Sequence, residues 1–263
     1  MAQTKWAVEW VTYQYQPDRT MKPLATPKMQ VEIWSDVMCP FCYIGKRKFE
    51  AALAKFPDQD KVEVIWKSFQ LDPNQETISD KPIQQYLAER KGMTIGQAQQ
   101  MTDQVTALAK KVGLTYRFDK AVTANSFDAH RFSHLAKQHG RQNEAEEQLF
   151  AAYFTEGKNT ADRHTLAQLG AAIGLDSQEV EAVLQTDQYA DAVKADCYEA
   201  QQLGVQGVPF FVFNRQYAVS GAQDSDTFLE VIQTAFADWE KSTVQPEDTV
   251  MQGAVCAPDG QCA

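Results

Sequence analysis

Cys39 and Cys42 stand where one hydrophobic pattern gives way to another. Gln30–Trp34 reads as a short buried strand bounded by Ser35 and Asp36. Met38-Cys39-Pro40-Phe41-Cys42-Tyr43-Ile44-Gly45 follows and opens a helical pattern that runs to about Lys55, with Pro57-Asp58 as its stop. Val62–Phe69 is a second strand, with Val62, Val64 and Trp66 alternating against Glu63 and Lys67. Strand, helix, strand is the opening of an α/β unit. The pair of cysteines falls on its first strand-to-helix turn, which narrows both the fold and the chemistry.

A cysteine at a helix N-terminus faces unpaired backbone N–H groups and the positive end of the helix dipole, both of which favour thiolate over thiol. Pro40 fits the first turn, where its missing N–H has no partner to lose. Cys42 lies one turn on, within reach of a reducible disulfide. Cys39 is then the nucleophile toward a substrate disulfide, and Cys42 resolves the mixed disulfide. A zinc site wants four ligands, usually two such pairs, and a purely structural bridge goes with export, so redox chemistry is the leading expectation.

From about Pro82 to Leu203 strand signals vanish. Helical patterns end at Gly92, Gly113, Gly140, Gly157, Gly174 and Gly204, where a left-handed residue closes a helix. Thr94, Asn125, Asn143, Asp162, Asp176 and Asp187 stand at candidate N-caps, and Asp176 with Glu179 has capping-box spacing. After Gly204 the α/β signals return. Phe210–Phe213 and Gln216–Val219 pair across an Asn214-Arg215 turn, and an amphipathic helix runs from about Ser225 to Lys241. The expected organisation is an α/β fold divided as follows: an N-terminal extension over 1–28, a discontinuous domain over 29–80 and 204–241, a helical insertion over 81–203, and a tail over 242–263.

Composition mainly excludes. With 263 residues, 44% of them hydrophobic, the chain can build a sizeable core. Its 35 acids against 25 bases give a net charge of −10, which repels phosphate backbones and anionic lipid. No apolar run approaches the ~20 residues that span a bilayer. Glu9 interrupts the Trp6–Val11 stretch that a signal peptide would need to keep apolar. The expectation is therefore a cytoplasmic protein with no nucleic-acid or membrane partner, no metal and no cofactor.

The remaining candidates are weaker. Cys256 and Cys262 flank a Pro258-Asp259-Gly260 turn-former, so their sulfurs can meet. They are either an auxiliary redox pair that exchanges electrons with Cys39 and Cys42, or a casual bridge in a loose tail; a metal held by all four thiols is a further alternative. Cys197, mid-helix, reads as a small buried hydrophobe. His130 and His134 share a helix face without a third ligand and read as a satisfied structural pair. Lys46-Arg47-Lys48 reads as a solvated face, and Asp36 as a helix cap.

Ser35-Asp36-Val37-Met38-Cys39-Pro40-Phe41-Cys42-Tyr43-Ile44-Gly45 resembles the active-site segment of DsbA-type thioredoxin-fold oxidoreductases, most of all their cytoplasmic FrnE-like branch. Ser68-Phe69-Gln70-Leu71-Asp72-Pro73, Asn125-Ser126-Phe127-Asp128-Ala129-His130 and Gly204-Val205-Gln206-Gly207-Val208-Pro209-Phe210-Phe211 support the likeness, which spans roughly Met29 to Lys241. It implies a thioredoxin fold with an inserted all-helical domain. It also implies that Val208–Pro209 is a cis-proline loop facing the dithiol, although base rates alone favour a trans bond there. Because proline donates no hydrogen bond, such a loop leaves the Val208 backbone open to pair with a substrate chain. The substrates implied are protein or peptide disulfides, with glutathione or a thioredoxin-type reductant as electron partner. Relatives that isomerise or conjugate small molecules with glutathione typically carry serine in place of Cys39; this chain keeps both sulfurs, so dithiol chemistry leads and a glutathione-linked isomerase or transferase acting on small molecules is the alternative.

Overall fold

The computed structural model describes residues 27–76 and 81–243. The chain runs β1 (Met29–Ser35), α1 (Pro40–Leu53), β2 (Val62–Ser68), α2 (Ile83–Lys91), α3 (Ile95–Lys111), α4 (Phe127–Gln138), α5 (Gln142–Ala151), α6 (Arg163–Ala172), α7 (Ser177–Gln185), α8 (Ala190–Gln202), β3 (Phe210–Phe213), β4 (Tyr217–Ser220) and α9 (Ser225–Thr243). This is the expected mixed α/β thioredoxin fold. Its four strands lie in the order β2-β1-β3-β4. β1 and β2 are parallel, and β3 runs antiparallel to both β1 and β4.

β1 is buried almost end to end, because helices cover both faces of the sheet. On one face α1 and α9 pack over Val31 and Ile33. There the Phe49 ring lies 5.6 Å from Phe211 and 5.8 Å from Phe228, an arrangement worth about 0.5–1.5 kcal/mol per pair beyond area burial. On the other face Trp34 packs with Ala200, Val205 and Val212, and its indole N–H donates to the Asp196 carbonyl at 3.0 Å. The strand therefore shows no alternation, which is what two-sided burial produces.

β2 is an edge strand, and side chains from the helices complete its hydrogen bonding. Gln142 accepts from the Trp66 N–H at 3.1 Å and donates to the Trp66 carbonyl at 3.0 Å. Asp196 accepts from the Ser68 N–H at 3.0 Å. Groups that would otherwise template further strand pairing are thereby used. Trp66 also meets Phe150 at 6.2 Å, so the core continues from the sheet into the helices without a break.

The helix ends follow their capping chemistry in part. Thr94 forms a full capping box with Gln97, Asp162 caps Thr165, and Gly92 closes α2 at φ +63°. Asp176 caps Gln178 alone; its expected box partner, Glu179, bonds His139 at 3.1 Å instead. Asn143 lies inside α5, and α8 has Tyr189 rather than Asp187 at its N-cap. Asn214 and Arg215 both adopt positive φ, 47° and 56°, and Gln216 N–H bonds the Phe213 carbonyl at 3.0 Å. Phe213 pairs with Tyr217, so the connection holds three residues, and Gln216, expected to open the second strand, belongs to the turn. Among the described residues no helix is long and apolar enough to cross a membrane.

Candidate active site

Cys39 occupies the N-cap of α1, with φ −88° and ψ 111°, and Pro40 is the first helical residue. The turn leading into it is closed by the Cys39 N–H to the Asp36 carbonyl at 2.9 Å, and the Cys42 N–H then bonds the Cys39 carbonyl at 3.0 Å. Both cysteines are free thiols and buried. The Val208–Pro209 bond is cis, and the Cys39 thiol donates to the Val208 carbonyl at 3.3 Å. Gly45 allows this approach: a Cβ there would lie 3.0 Å from Pro209 Cγ. Pairs so far apart in sequence meet because α1 starts at the C-terminal end of β1, beside the start of β3. Burial, then the neighbouring Cys39, pushes the Cys42 thiol well up, with the Ser35 hydroxyl pulling the other way.

Asp36 is not the helix cap the sequence suggested. Its carboxylate is fully buried. It accepts from the Leu71 N–H at 2.7 Å and the Met38 N–H at 3.3 Å, and faces His130 Nε2 at 3.6 Å. It therefore ties the loop after β2 to the redox turn, and α1 itself has no side-chain cap. His130 also meets the Phe69 carbonyl at 3.0 Å. His134 meets Ser68 Oγ and Asp196, each at 3.1 Å. The two histidines are a satisfied structural pair, and the described residues contain no cluster of three potential metal ligands.

The Lys46–Lys48 run is not a solvated face. Lys46 is 3% exposed and pairs with Glu50 at 2.5 Å and Glu147 at 2.9 Å. Arg47 pairs with Glu50 and Glu147 and lies over the Tyr43 ring. Tyr43 donates to Glu147 at 2.6 Å, and Lys48 reaches Asp224 at 2.7 Å. The physical reason is that α5 packs beside α1 and brings Glu147 over these side chains. Burial raises the Glu147 carboxyl, but Arg47, Tyr43 and Lys46 outweigh it and hold the group at about 2, against an ordinary 4.5. A depressed carboxyl contributes stability above its unfolded value and loses it as pH falls through the folded one. The protein is therefore expected to lose up to about 3 kcal/mol between pH ~4.5 and ~2 through this group. Urea melts at stepped pH should show a shallower acid slope for Glu147→Gln; an identical slope would remove Glu147 as its source.

Tyr116, also missed by sequence reasoning, donates its hydroxyl to the Pro40 carbonyl at 2.7 Å. It lies between α3 and α4, where no periodicity marks it. Phe41 and Leu71 are 41% and 38% exposed beside the redox turn. Cys197 is half-buried rather than a full core residue, and its thiol donates to the Ser68 carbonyl at 3.6 Å. Cys256 and Cys262 lie outside the described residues.

Comparison with known proteins gives the family and the fold. The family of DSBA-like thioredoxin domains matches residues 30–233. The fold superposes on a probable DsbA oxidoreductase from Streptomyces coelicolor at TM-score 0.75 with 41% identity, covering 89% of this chain and 98% of that one. The uncharacterized protein YwbO of Bacillus subtilis is 28% identical over 210 residues, 78% of this chain and 96% of its own. A cytosolic disulfide reductase, DsbM from Pseudomonas aeruginosa, solved with GSH, shares the fold at TM-score 0.54 and 17% identity, over 81% of this chain and 98% of that one.

Proposed function

From membership of the DSBA-like thioredoxin domain family, to which this chain belongs, we propose a cytoplasmic, FrnE-like thiol–disulfide oxidoreductase and isomerase acting on protein or peptide disulfides. The observation that carries this is the Cys39 thiol at a helix N-cap, 3.3 Å from the carbonyl of the cis Val208–Pro209 bond. The Cys39 thiolate attacks one sulfur of a substrate disulfide, forming a mixed disulfide and releasing the other substrate sulfur as thiolate. Cys42 then attacks Cys39 Sγ, which frees the second substrate thiol and leaves a Cys39–Cys42 disulfide. Two glutathione molecules return the dithiol and leave as glutathione disulfide. Burial and the adjacent Cys39 keep Cys42 protonated at first; once Cys39 is in the mixed disulfide its charge is gone, and Cys42 ionises more readily. The Val208 backbone and Pro209 present the substrate chain, and exposed Phe41 and Leu71 offer apolar contact.

The test is insulin reduction with glutathione, together with refolding of a scrambled ribonuclease. The full chain is expected to accelerate both above glutathione alone. Rates equal to glutathione alone in both assays would overturn the reading, and reduction without refolding would remove the isomerase part.

A further inference from the structure

Tyr116 belongs to no helix or strand, yet it is 4% exposed and held on every side. Its ring stacks on Phe154 at 4.6 Å and faces Tyr43 at 6.2 Å. Its backbone neighbours are pinned as well: the Arg117 N–H bonds the Phe154 carbonyl at 2.6 Å, and the Thr155 hydroxyl donates to the Thr115 carbonyl at 2.8 Å. The helical stretch between β2 and β3 thus delivers one hydroxyl to one atom, the carbonyl oxygen of Pro40, between the two cysteines.

That carbonyl is one end of a peptide unit whose other end is the Phe41 N–H. An N-cap side chain accepts from the N–H of the second or third helical residue. With Cys39 at the N-cap those are Phe41 and Cys42, and the Cys42 N–H already bonds the Cys39 carbonyl at 3.0 Å. The thiol itself makes no such cap bond, and the Phe41 N–H is the backbone donor this position leaves for a Cys39 thiolate. The thiol's present partner, the Val208 carbonyl, has no proton to give once Cys39 has lost its own. A hydrogen bond at the carbonyl end of a peptide polarises the N–H at the other end. Burial, together with the nearby cysteines, raises Tyr116 and keeps it a donor.

We propose that Tyr116 is a positioning residue which, through the Pro40–Phe41 peptide, stabilises the Cys39 thiolate and so sets the redox poise of the dithiol. This rests on the redox reading above. Stabilising the reduced form makes a dithiol pair more oxidising, so removing the hydroxyl makes it more reducing.

Tyr116→Phe deletes the hydroxyl and keeps the ring stack. Two quantities are read on the full chain: the pH dependence of Cys39 alkylation by iodoacetamide, and the equilibrium with glutathione. In the variant the alkylation midpoint moves to higher pH, and the rate below that midpoint falls about threefold. The glutathione equilibrium moves about threefold toward the protein disulfide, or ~14 mV more reducing. A purely structural tyrosine would lower the melting midpoint and leave both readouts in place. An unchanged or lowered alkylation midpoint, or an unchanged glutathione equilibrium, overturns the proposal. If the wild-type chain itself fails to reduce insulin, it is the redox reading that fails; if it reduces insulin and Tyr116→Phe matches it in either readout, only the role of Tyr116 fails.

Discussion

Cys42→Ser is expected to trap substrate as a covalent adduct, while Cys39→Ser forms none and turns over no faster than the reductant alone. The difference follows from where the two sulfurs stand. Cys39 is at the N-cap, against the Val208 carbonyl, the position from which the first attack is proposed, and of the two buried sulfurs it is the one nearer the surface, in a residue 4% exposed against 1% for Cys42. Replacing it with serine leaves a hydroxyl that is not a nucleophile at neutral pH without an activating base, and the buried Cys42, whose thiol is pushed well up, cannot stand in. Cys42→Ser leaves the first attack intact. What it removes is the sulfur held one turn along the helix, so an intramolecular step becomes a bimolecular one that awaits glutathione. Intact-mass measurement after mixing with a disulfide peptide should show the peptide on Cys42→Ser and on neither wild type nor Cys39→Ser at steady state. Wild-type turnover by Cys42→Ser, with no adduct, would mean that a single thiol does the work and that Cys42 does not resolve.

The redox turn was legible because its determinants are local. Cys39, Pro40 and Cys42 lie within one turn, Gln30–Trp34 carries its own strand signal, and an Asn-Arg pair between two apolar runs marks the β3–β4 hairpin. Glycine and Thr, Asn or Asp signals placed most helix boundaries for the same reason. The parts that were not legible depend on partners distant in the chain. Lys46 looks like any surface lysine until α5 carries Glu147 to it across 101 positions. Tyr116 sits in an unpatterned connection, and its meaning comes entirely from reaching Pro40. Asn143 and Asp187 carry cap chemistry, yet tertiary packing moves the N-caps of their helices two residues back, to Arg141, and two residues on, to Tyr189. The Val208–Pro209 geometry is intermediate: the residues say only that a proline precedes a strand, and the family likeness supplied the isomer later found.

Asp36→Ala is expected to cost about 3–5 kcal/mol, the range for breaking a buried charge pair by removing one partner. Asp36 is fully buried, and its carboxylate serves the Leu71 N–H, the Met38 N–H and His130 together. Alanine leaves those donors facing one another across an empty site. Asp36→Asn keeps the volume and one acceptor oxygen, so it should cost roughly half as much. Urea midpoints at unchanged m-value would measure both, and a cost for alanine below about 0.5 kcal/mol would mean that this carboxylate does not hold the turn. The pH dependence gives a second check. Burial works against a charged His130, but Asp36 outweighs it and the ring's pKa is raised. A raised histidine contributes stability that is fully present below its unfolded value of ~6.5 and is lost as pH rises through the folded value. In Asp36→Asn burial meets far less opposition, so this loss above pH ~6.5 should flatten. The comparison separates charge from shape: if the asparagine variant kept the wild-type slope while losing stability, the cost would lie in the Leu71 and Met38 hydrogen bonds, and the Asp36–His130 pair would be a neighbour of the redox turn rather than one of its supports.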